Sequence, residues 1–541
     1  MGTEPIKAGR REWVGLAAIA LPCVVYAMDL TVLNLALPAL SEDLEPSSTQ
    51  LLWIVDIYGF LVAGLLITMG TLGDRIGRRR LLLIGAAAFG AASVLAALST
   101  SAEMLIAARA LLGVAGATLA PSTLALIRNM FADPQERTFA IGVWITSFSG
   151  GAAIGPLVGG LLLEQFWWGS VFLLAVPVMA LLLVVGPRLL PEFRDPEAGR
   201  LDLVSAAASL VAVLAVIYGL KQLAQDGAGW MPALAIVGGL AVGTAFVRRE
   251  GRLADPLIDL RLFRVPAFSG ALAANTIGFF VNFGIAVFIA QYLQLVLGLS
   301  PLEAGLWTVP WAAGFIVGSM LTSAIVSRIP PPSAIVGGLV LAAAGFVLLT
   351  QVGAASLPLL VTASVVLALG LAPVFTLAAD LMVSAAPPER AGAAAGISET
   401  SSEFGGALGI AVLGVVGTAV YRAEVSEAVP ADVPPEPADA ARDTLGGAVS
   451  AGSELPAPFG GELVDAAREA FTQALQLVAV LSAAVLLAAA LLAWPLLRRA
   501  AAERVPGERR LVEAERPVAD RSPCWPARTG ILEVSTSPER D

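Results

Sequence analysis

Fourteen runs of mostly apolar residues, each long enough to cross a bilayer core as a helix of about 20 residues, follow one another through this 541-residue chain. They lie near 13–39, 51–72, 81–99, 103–127, 138–163, 169–187, 203–220, 230–247, 268–297, 304–327, 333–352, 357–382, 393–420 and 470–497. The chain is 57% hydrophobic and 14% charged, with mean hydropathy +0.80. Soluble domains carry roughly 25% charged residues, so the expected fold class is an all-α polytopic membrane protein. The first run is too long, and too polar at Met28–Asp29, for a cleaved signal peptide.

The arginines orient the runs. With the N-terminus inside, the inner segments include "GDRIGRRR", "RNMFADPQER", "PRLLPEFRDPEAGR" and "RREGRLADPLIDLRLFR" and hold 28 of the 33 basic residues. The outer segments hold only Lys221, Arg422, Arg442 and Arg468, and Arg109 falls inside a span. Both termini are therefore expected in the cytoplasm, and the chain in the cell membrane. The outer loop 421–466 carries nine acids against two arginines; it reads as a solvated spacer, or else as an external lid or lure for cations. The tail 498–541 mixes charges and prolines and reads as disordered.

Two absences narrow the chemistry. There is no histidine, which removes Ser–His catalysis and histidine proton shuttling. The two lysines, Lys7 and Lys221, do not follow a G-x-x-x-x-G, so the chain has no phosphate cradle of the Walker type. Cys23 and Cys524 lie far apart in unlike surroundings and suggest neither a disulfide framework nor a metal site. An enzyme is not expected, nor any cofactor or metal.

Four stretches carry more than hydropathy: "MDLTVLNLALP" at 28–38, "GTLGDRIGRRR" at 70–80, "RALLGVAGA" at 109–117 and "GGAAIGPLVGG" at 150–160. At these residues the chain resembles the major facilitator superfamily, and the first stretch is similar to a mark of its fourteen-span drug:proton antiporters. The resemblance implies a six-helix bundle over 13–190 and a linker with two inserted helices over 191–250. A cytoplasmic linker, 251–267, then precedes a second bundle over 268–497. Residues 1–12 would be a cytoplasmic N-terminus. It also implies a latch loop of Gly70, Gly73, Asp74, Arg75, Gly77 and Arg78, for which Arg137 and Arg390 are the candidate partners of Asp74. Gly151, Gly155, Pro156, Gly159 and Gly160 would form the helix-packing segment of an antiporter. The loop "SRIPPPSAI" keeps only a remnant of the latch loop, so the halves differ there.

Ionisable groups within spans are costly, about 2.5–3.5 kcal/mol each on translocon scales. They are Asp29, Asp56, Arg109, Asp380, Glu399 and Glu403. At about 1.5 Å per residue, Glu399 lies about 9 Å and Glu403 about 15 Å from the inner surface, Asp29 near the midplane, and Asp56 and Arg109 in the outer half. The acids form a ladder across the membrane. Carboxyl groups in low dielectric favour their neutral form, and neighbouring carboxylates reinforce one another. Such groups can hold a proton until a cation arrives, and that competition is antiport. The resemblance ties acids at these positions to proton coupling and cation recognition. Bland alternatives stand beside it: a structural Asp29–Arg109 pair, a wet and uninvolved Asp56, and Asp380 as a boundary residue. No acid lies in the tenth span, which argues against tight binding of dications.

A substrate pocket is expected to draw on Asn34, Tyr58, Asn275, Phe279, Asn282, Trp307 and Trp311, whose aromatic faces suit organic cations, unless these stripes only pack helices. The expected function is proton-coupled multidrug efflux of hydrophobic, mostly cationic compounds by alternating access. Export of one endogenous antibiotic or metabolite on the same fold is the alternative; a membrane enzyme and a proton-driven importer fit less well. Expected partners are lipophilic or cationic small molecules, protons and the lipid bilayer, with no nucleic acid, and the chain is expected to be a monomer.

Overall fold

Polar caps and glycines set the ends of the helices. Ser47 and Gln50 form a reciprocal capping box, with the Ser47 N–H donating to Gln50 Oε1 at 2.9 Å. Asp133 accepts the N–H groups of Gln135 and Glu136 at 2.9 Å ahead of Pro134. Gly77, at φ +111°, turns the chain sharply between two spans where a side chain would be strained.

The computed structural model describes residues 7–194, 202–226, 229–253, 256–353, 356–429, 433–456 and 459–514. Among them there is no strand. The helices are α1 Arg10–Leu44, α2 Ser48–Ile76, α3 Arg78–Ala97, α4 Ala102–Gly116, α5 Leu119–Met130 and α6 Pro134–Gln165. Then come α7 Ser170–Leu173, α8 Ala175–Leu189, α9 Leu203–Asp226, α10 Trp230–Glu250, α11 Pro266–Gln291 and α12 Pro301–Val326. The last are α13 Pro331–Leu349, α14 Leu357–Ala385, α15 Ala391–Ala428, α16 Pro435–Asp443, α17 Leu445–Glu454 and α18 Phe459–Ala514. Fourteen helical stretches are long and apolar enough to span a bilayer, the number expected. The fourth is broken at 117–118, where the Thr118 hydroxyl donates to the Ala115 carbonyl at 2.7 Å.

Two apolar cores carry the packing. One gathers residues of α1 to α8, among them Phe89, Leu112 and Phe131, all fully buried. The other gathers residues of α11 to α18, among them Phe346, Leu371 and Leu475. The bundles meet where α2 lies along α15 and α6 along α12. The pair α9–α10 packs on itself, and α9 also touches α2 and α15. Asp202 and Arg249 tie the start of α9 to the end of α10 at 2.8 Å. The Arg249 guanidinium holds the Asp202 carboxyl below the usual carboxylate range.

Two expectations are corrected here. The outer loop is no mere spacer: Ala438, Ala441, Leu445 and Ala448 recur at helical spacing and are buried, so α16 and α17 fold back on the second bundle. The Tyr421 hydroxyl fastens them by donating to the Ala441 carbonyl at 2.7 Å. The tail expected to be disordered begins as helix, since α18 runs to Ala514 across Pro506 and Gly507; residues 515–541 lie outside the described residues.

The expected antiporter segment forms a close α1–α6 contact. A methyl group on Gly151 would meet Ala27 Cβ at 3.0 Å, one on Gly155 would meet Met28 Cα at 3.3 Å, and one on Gly159 would meet Val32 at 3.0 Å. Gly160 faces open space, and the Pro156 side chain lies outside the described residues. Gly155→Ala is therefore expected to lower the thermal midpoint in detergent by several degrees, because overpacking costs about 1–3 kcal/mol. Gly160→Ala should leave it unchanged or raise it, since alanine favours helix by up to about 1 kcal/mol.

Candidate functional site

The loop expected to act as a latch joins the two bundles at one end of the molecule, and its partners are not those expected. Asp74 and Arg78, one turn apart and both buried, pair at 2.7 Å. Both oxygens of Asp74 then reach across to the other bundle, accepting the N–H groups of Gly392 and Ala393 at 2.9 Å. These amides belong to the first turn of α15, where helical N–H groups lack partners and the dipole favours an anion. Arg78 donates onward to the Pro388 carbonyl at 2.6 Å and lies 4.9 Å from the Phe193 ring. Close backbone approach makes this possible: a methyl group on Gly396 would meet the Leu66 carbonyl at 2.7 Å, and Gly70 abuts Gly392 directly. Within the first bundle a methyl group on Gly73 would meet the Leu81 side chain at 3.3 Å, and Arg75 is half-buried.

Arg137 and Arg390 are engaged elsewhere. Arg137 pairs with Asp380 at 2.7 Å, and the Thr138 hydroxyl donates to the same carboxylate at 2.8 Å. Asp380, expected as a simple boundary residue, is thus a second bridge between the bundles, from α14 to α6. Arg390 lies 3.7 Å from Asp259 in the linker before α11. The Asp259 carboxyl is held below the usual range, first by its hydrogen bond from Arg261. Among the described residues, the side-chain hydrogen bonds and ion pairs between the bundles all lie at this arginine-rich end.

Deeper in, Asp29 on α1 pairs with Arg109 on α4 at 2.6 Å. Arg109 is buried, donates to the Ile54 carbonyl at 3.1 Å and stacks 4.7 Å from the Tyr58 ring. The Tyr58 hydroxyl is buried with no hydrogen-bond partner among the described residues. Tyr26 lies 6.0 Å from Tyr58, ring to ring, and within electrostatic range of Glu399, Glu403 and Asp29. The sequence did not single out Tyr26, because an isolated tyrosine in an apolar run carries no pattern. Glu399 is half-buried, Glu403 is exposed, and no hydrogen bond or ion pair holds either among the described residues. Asp56 is paired, with Lys221 of α9.

The expected pocket residues divide. The Asn275 amide donates to Ser401 and Ser402 at 2.9 Å, so it joins α11 to α15 rather than lining a pocket. Phe279 stacks on Phe375 at 4.2 Å, and Trp311 stacks on Phe315 at 5.5 Å. Phe315 and Phe375 are 6.0 Å apart, so these rings form one aromatic row. Trp307 is 44% exposed and stands outside that row, and Asn282 is half-buried. The Asn34 side chain lies outside the described residues.

Two helical bundles, latched at one end and holding acids between them, define a membrane transporter of the alternating-access kind. Residues 19–410 match the sequence model of the Major Facilitator Superfamily, and the chain belongs to that family. It is 46% identical over 474 residues to the multidrug efflux pump LfrA of Mycolicibacterium smegmatis, covering 87% of this chain and 94% of that protein. It is 36% identical to the methyl viologen resistance protein SmvA of Salmonella typhimurium, over 85% of this chain and 93% of that protein. The tetracenomycin C resistance and export protein of Streptomyces glaucescens is 34% identical over 88% of this chain and 89% of that protein. Among solved structures, the human organic anion transporter MFSD10 superposes with TM-score 0.60 at 16% identity, covering 88% of this chain and 99% of that one; this is a likeness of fold.

Proposed function

We propose that this chain exports hydrophobic, mostly cationic small molecules across the cell membrane in exchange for protons, with both termini in the cytoplasm. The observation that carries the proposal is the setting of Glu399 and Glu403: carboxylates on α15 with no hydrogen bond or ion pair among the described residues, within electrostatic range of Tyr26 of the opposite bundle. The positive-inside rule makes the arginine-rich, latched end cytoplasmic. On this reading the protein is closed to the cytoplasm, and Glu403, the exposed acid of the set, is reached from the outside.

In this state protons from outside neutralise Glu403 and Glu399, one on each carboxylate. Neutral acids no longer hold an emerging cation, and the cargo leaves. When the latch at Asp74 and Asp380 releases, the bundles rock and the same acids meet the cytoplasm. A cation entering there favours their charged form, and the protons depart inward. Phe279 and Trp311, the partly exposed members of the aromatic row, offer faces for the cargo's apolar body, with Phe315 and Phe375 buried behind them. The names of the relatives support a broad range: the one at 46% identity is a multidrug pump. The tetracenomycin exporter keeps the narrower alternative of a single endogenous antibiotic in view. The chain acts as a monomer in this scheme.

Ethidium uptake into everted membrane vesicles tests the proposal. An acid-inside gradient should drive uptake, and an uncoupler should abolish it within the dead time of mixing. Uptake that persists unchanged after the gradient has collapsed would rule out proton exchange.

A further inference from the structure

Lys221 is one of only two lysines in the chain, and it sits on an inserted helix that belongs to neither bundle. Its ammonium pairs with Asp56 and lies 4.7 Å from the centre of the Phe60 ring, both on α2. It is also within electrostatic range of Glu403 on α15. The helix that carries it is wedged at the seam between the bundles. Ile217 packs with Phe60 and Ala63 of α2, while Val216 and Leu220 pack with Ala411 of α15. Along α2, Asp56 lies about 27 Å from Asp74 at 1.5 Å per residue, so this contact is far from the latched end.

The pair differs from the other intramembrane pair. Arg109 is buried and fixed by a backbone carbonyl and a tyrosine ring. The Lys221 side chain is 39% exposed, and an ammonium on a four-carbon stem can swing away into water. A cation held over an aromatic ring, against a carboxylate, at the open side of the site, occupies the kind of place that a cationic cargo would seek. A partly exposed pair is also weak enough to exchange.

We propose that Lys221 is a tethered cation that holds Asp56 while the site is empty and that a cationic cargo must displace it. The inserted helix would thereby set the affinity and charge selectivity of the exporter. This inference rests on the cation-exporting function proposed above. Exchange of one monocation for another leaves the charge at Asp56 unchanged, so the displaced lysine raises the threshold for every cationic cargo and leaves neutral cargo untouched.

Equilibrium binding of tetraphenylphosphonium and of the neutral dye Nile red to the purified full chain in detergent tests this. Lys221→Met keeps the stem, and it should tighten tetraphenylphosphonium binding about tenfold and leave Nile red within twofold. Lys221→Arg should behave as wild type. In an Asp56→Asn background, Lys221→Met should add nothing. Unchanged or weaker tetraphenylphosphonium binding, equal tightening for both ligands, or tightening that persists without Asp56 would each overturn the proposal. A second measurement uses the wild-type protein and needs no variant. Acylation of Lys221 by an amine-reactive ester, read by mass spectrometry, should speed up severalfold when tetraphenylphosphonium saturates the site; an unchanged rate counts against displacement. Failure of the wild type to bind tetraphenylphosphonium at all would overturn the cation-export reading as well. Normal binding with an indifferent Lys221 overturns only this inference.

Discussion

Glu403→Gln is expected to reduce proton-driven export of a cationic dye by about 100-fold while leaving the amount of folded protein unchanged. Two unit charges about 4 Å apart interact by about 4 kcal/mol at an effective dielectric of 20, or roughly three powers of ten. Glu399, one turn away, restores part of that. The fold should tolerate the change, because Glu403 is exposed and has no hydrogen bond or ion pair to lose among the described residues. Glutamine keeps the shape and removes the charge, so the loss isolates the carboxylate's chemistry from packing. Export by the double variant Glu399→Gln, Glu403→Gln should be negligible at any imposed gradient. Initial rates in everted vesicles, normalised to the protein present, provide the check. If the double variant pumps with its pH response intact, these acids are not the exchange site.

Asp74→Asn should produce the second large effect, through conformation rather than chemistry. The substitution leaves the fully buried Arg78 without its carboxylate and replaces one acceptor atom by an amide that faces the donors of Gly392 and Ala393. Breaking a buried pair on one side costs about 3–5 kcal/mol. The Asp74–Arg78 pair lies within one bundle and is lost in both states. The difference between states therefore comes from the two charge-assisted hydrogen bonds to Gly392 and Ala393, about 1.5–3 kcal/mol each, which exist only with the latch closed. Reversing a 99:1 population needs about 5.5 kcal/mol, so the variant should shift largely to the state open at the arginine-rich end. Spin labels at Arg80→Cys and Pro387→Cys, both exposed positions on opposite bundles, would report it in protein lacking Cys524. The distance distribution should lengthen, and export should fall by about 10- to 100-fold. An unaltered distribution with full export would show that Asp74 does not govern the rocking.

Much of the architecture was readable one segment at a time. Hydrophobic runs report their own length and composition, and so the fourteen spans and their order were open to inspection. The Asp29–Arg109 pair could be weighed from the sequence, but depth did not single it out, because Asp56 lies in the outer half with Arg109 and pairs instead with Lys221. Partner choice was less accessible. Asp74 has four arginines within six residues, and the sequence points to Arg137 or Arg390 as its partner, yet its cross-bundle partners are backbone amides. Every residue has an amide, so no sequence pattern distinguishes Gly392 and Ala393 until the helix that starts there is set against α2. Asn275 looked like a pocket residue for the same reason: its spacing was visible, and the three serine groups that claim it were not. The acidic outer loop was misjudged because its alanines are small, and small residues become buried only when a neighbour is close enough to cover them.

What the residues determined by themselves is the membrane-spanning class, the family-like loops and the acids that no soluble environment explains, because burial in lipid is a local demand on each stretch. What tertiary structure alone decided is which charge meets which: Lys221 with Asp56, Asp380 with Arg137, and both oxygens of Asp74 with the start of α15. Those pairings join residues up to 319 positions apart. They exist only because helices from two bundles and an insert are brought within a few ångströms, where Coulomb attraction and hydrogen bonding act at contact and sequence distance has no bearing.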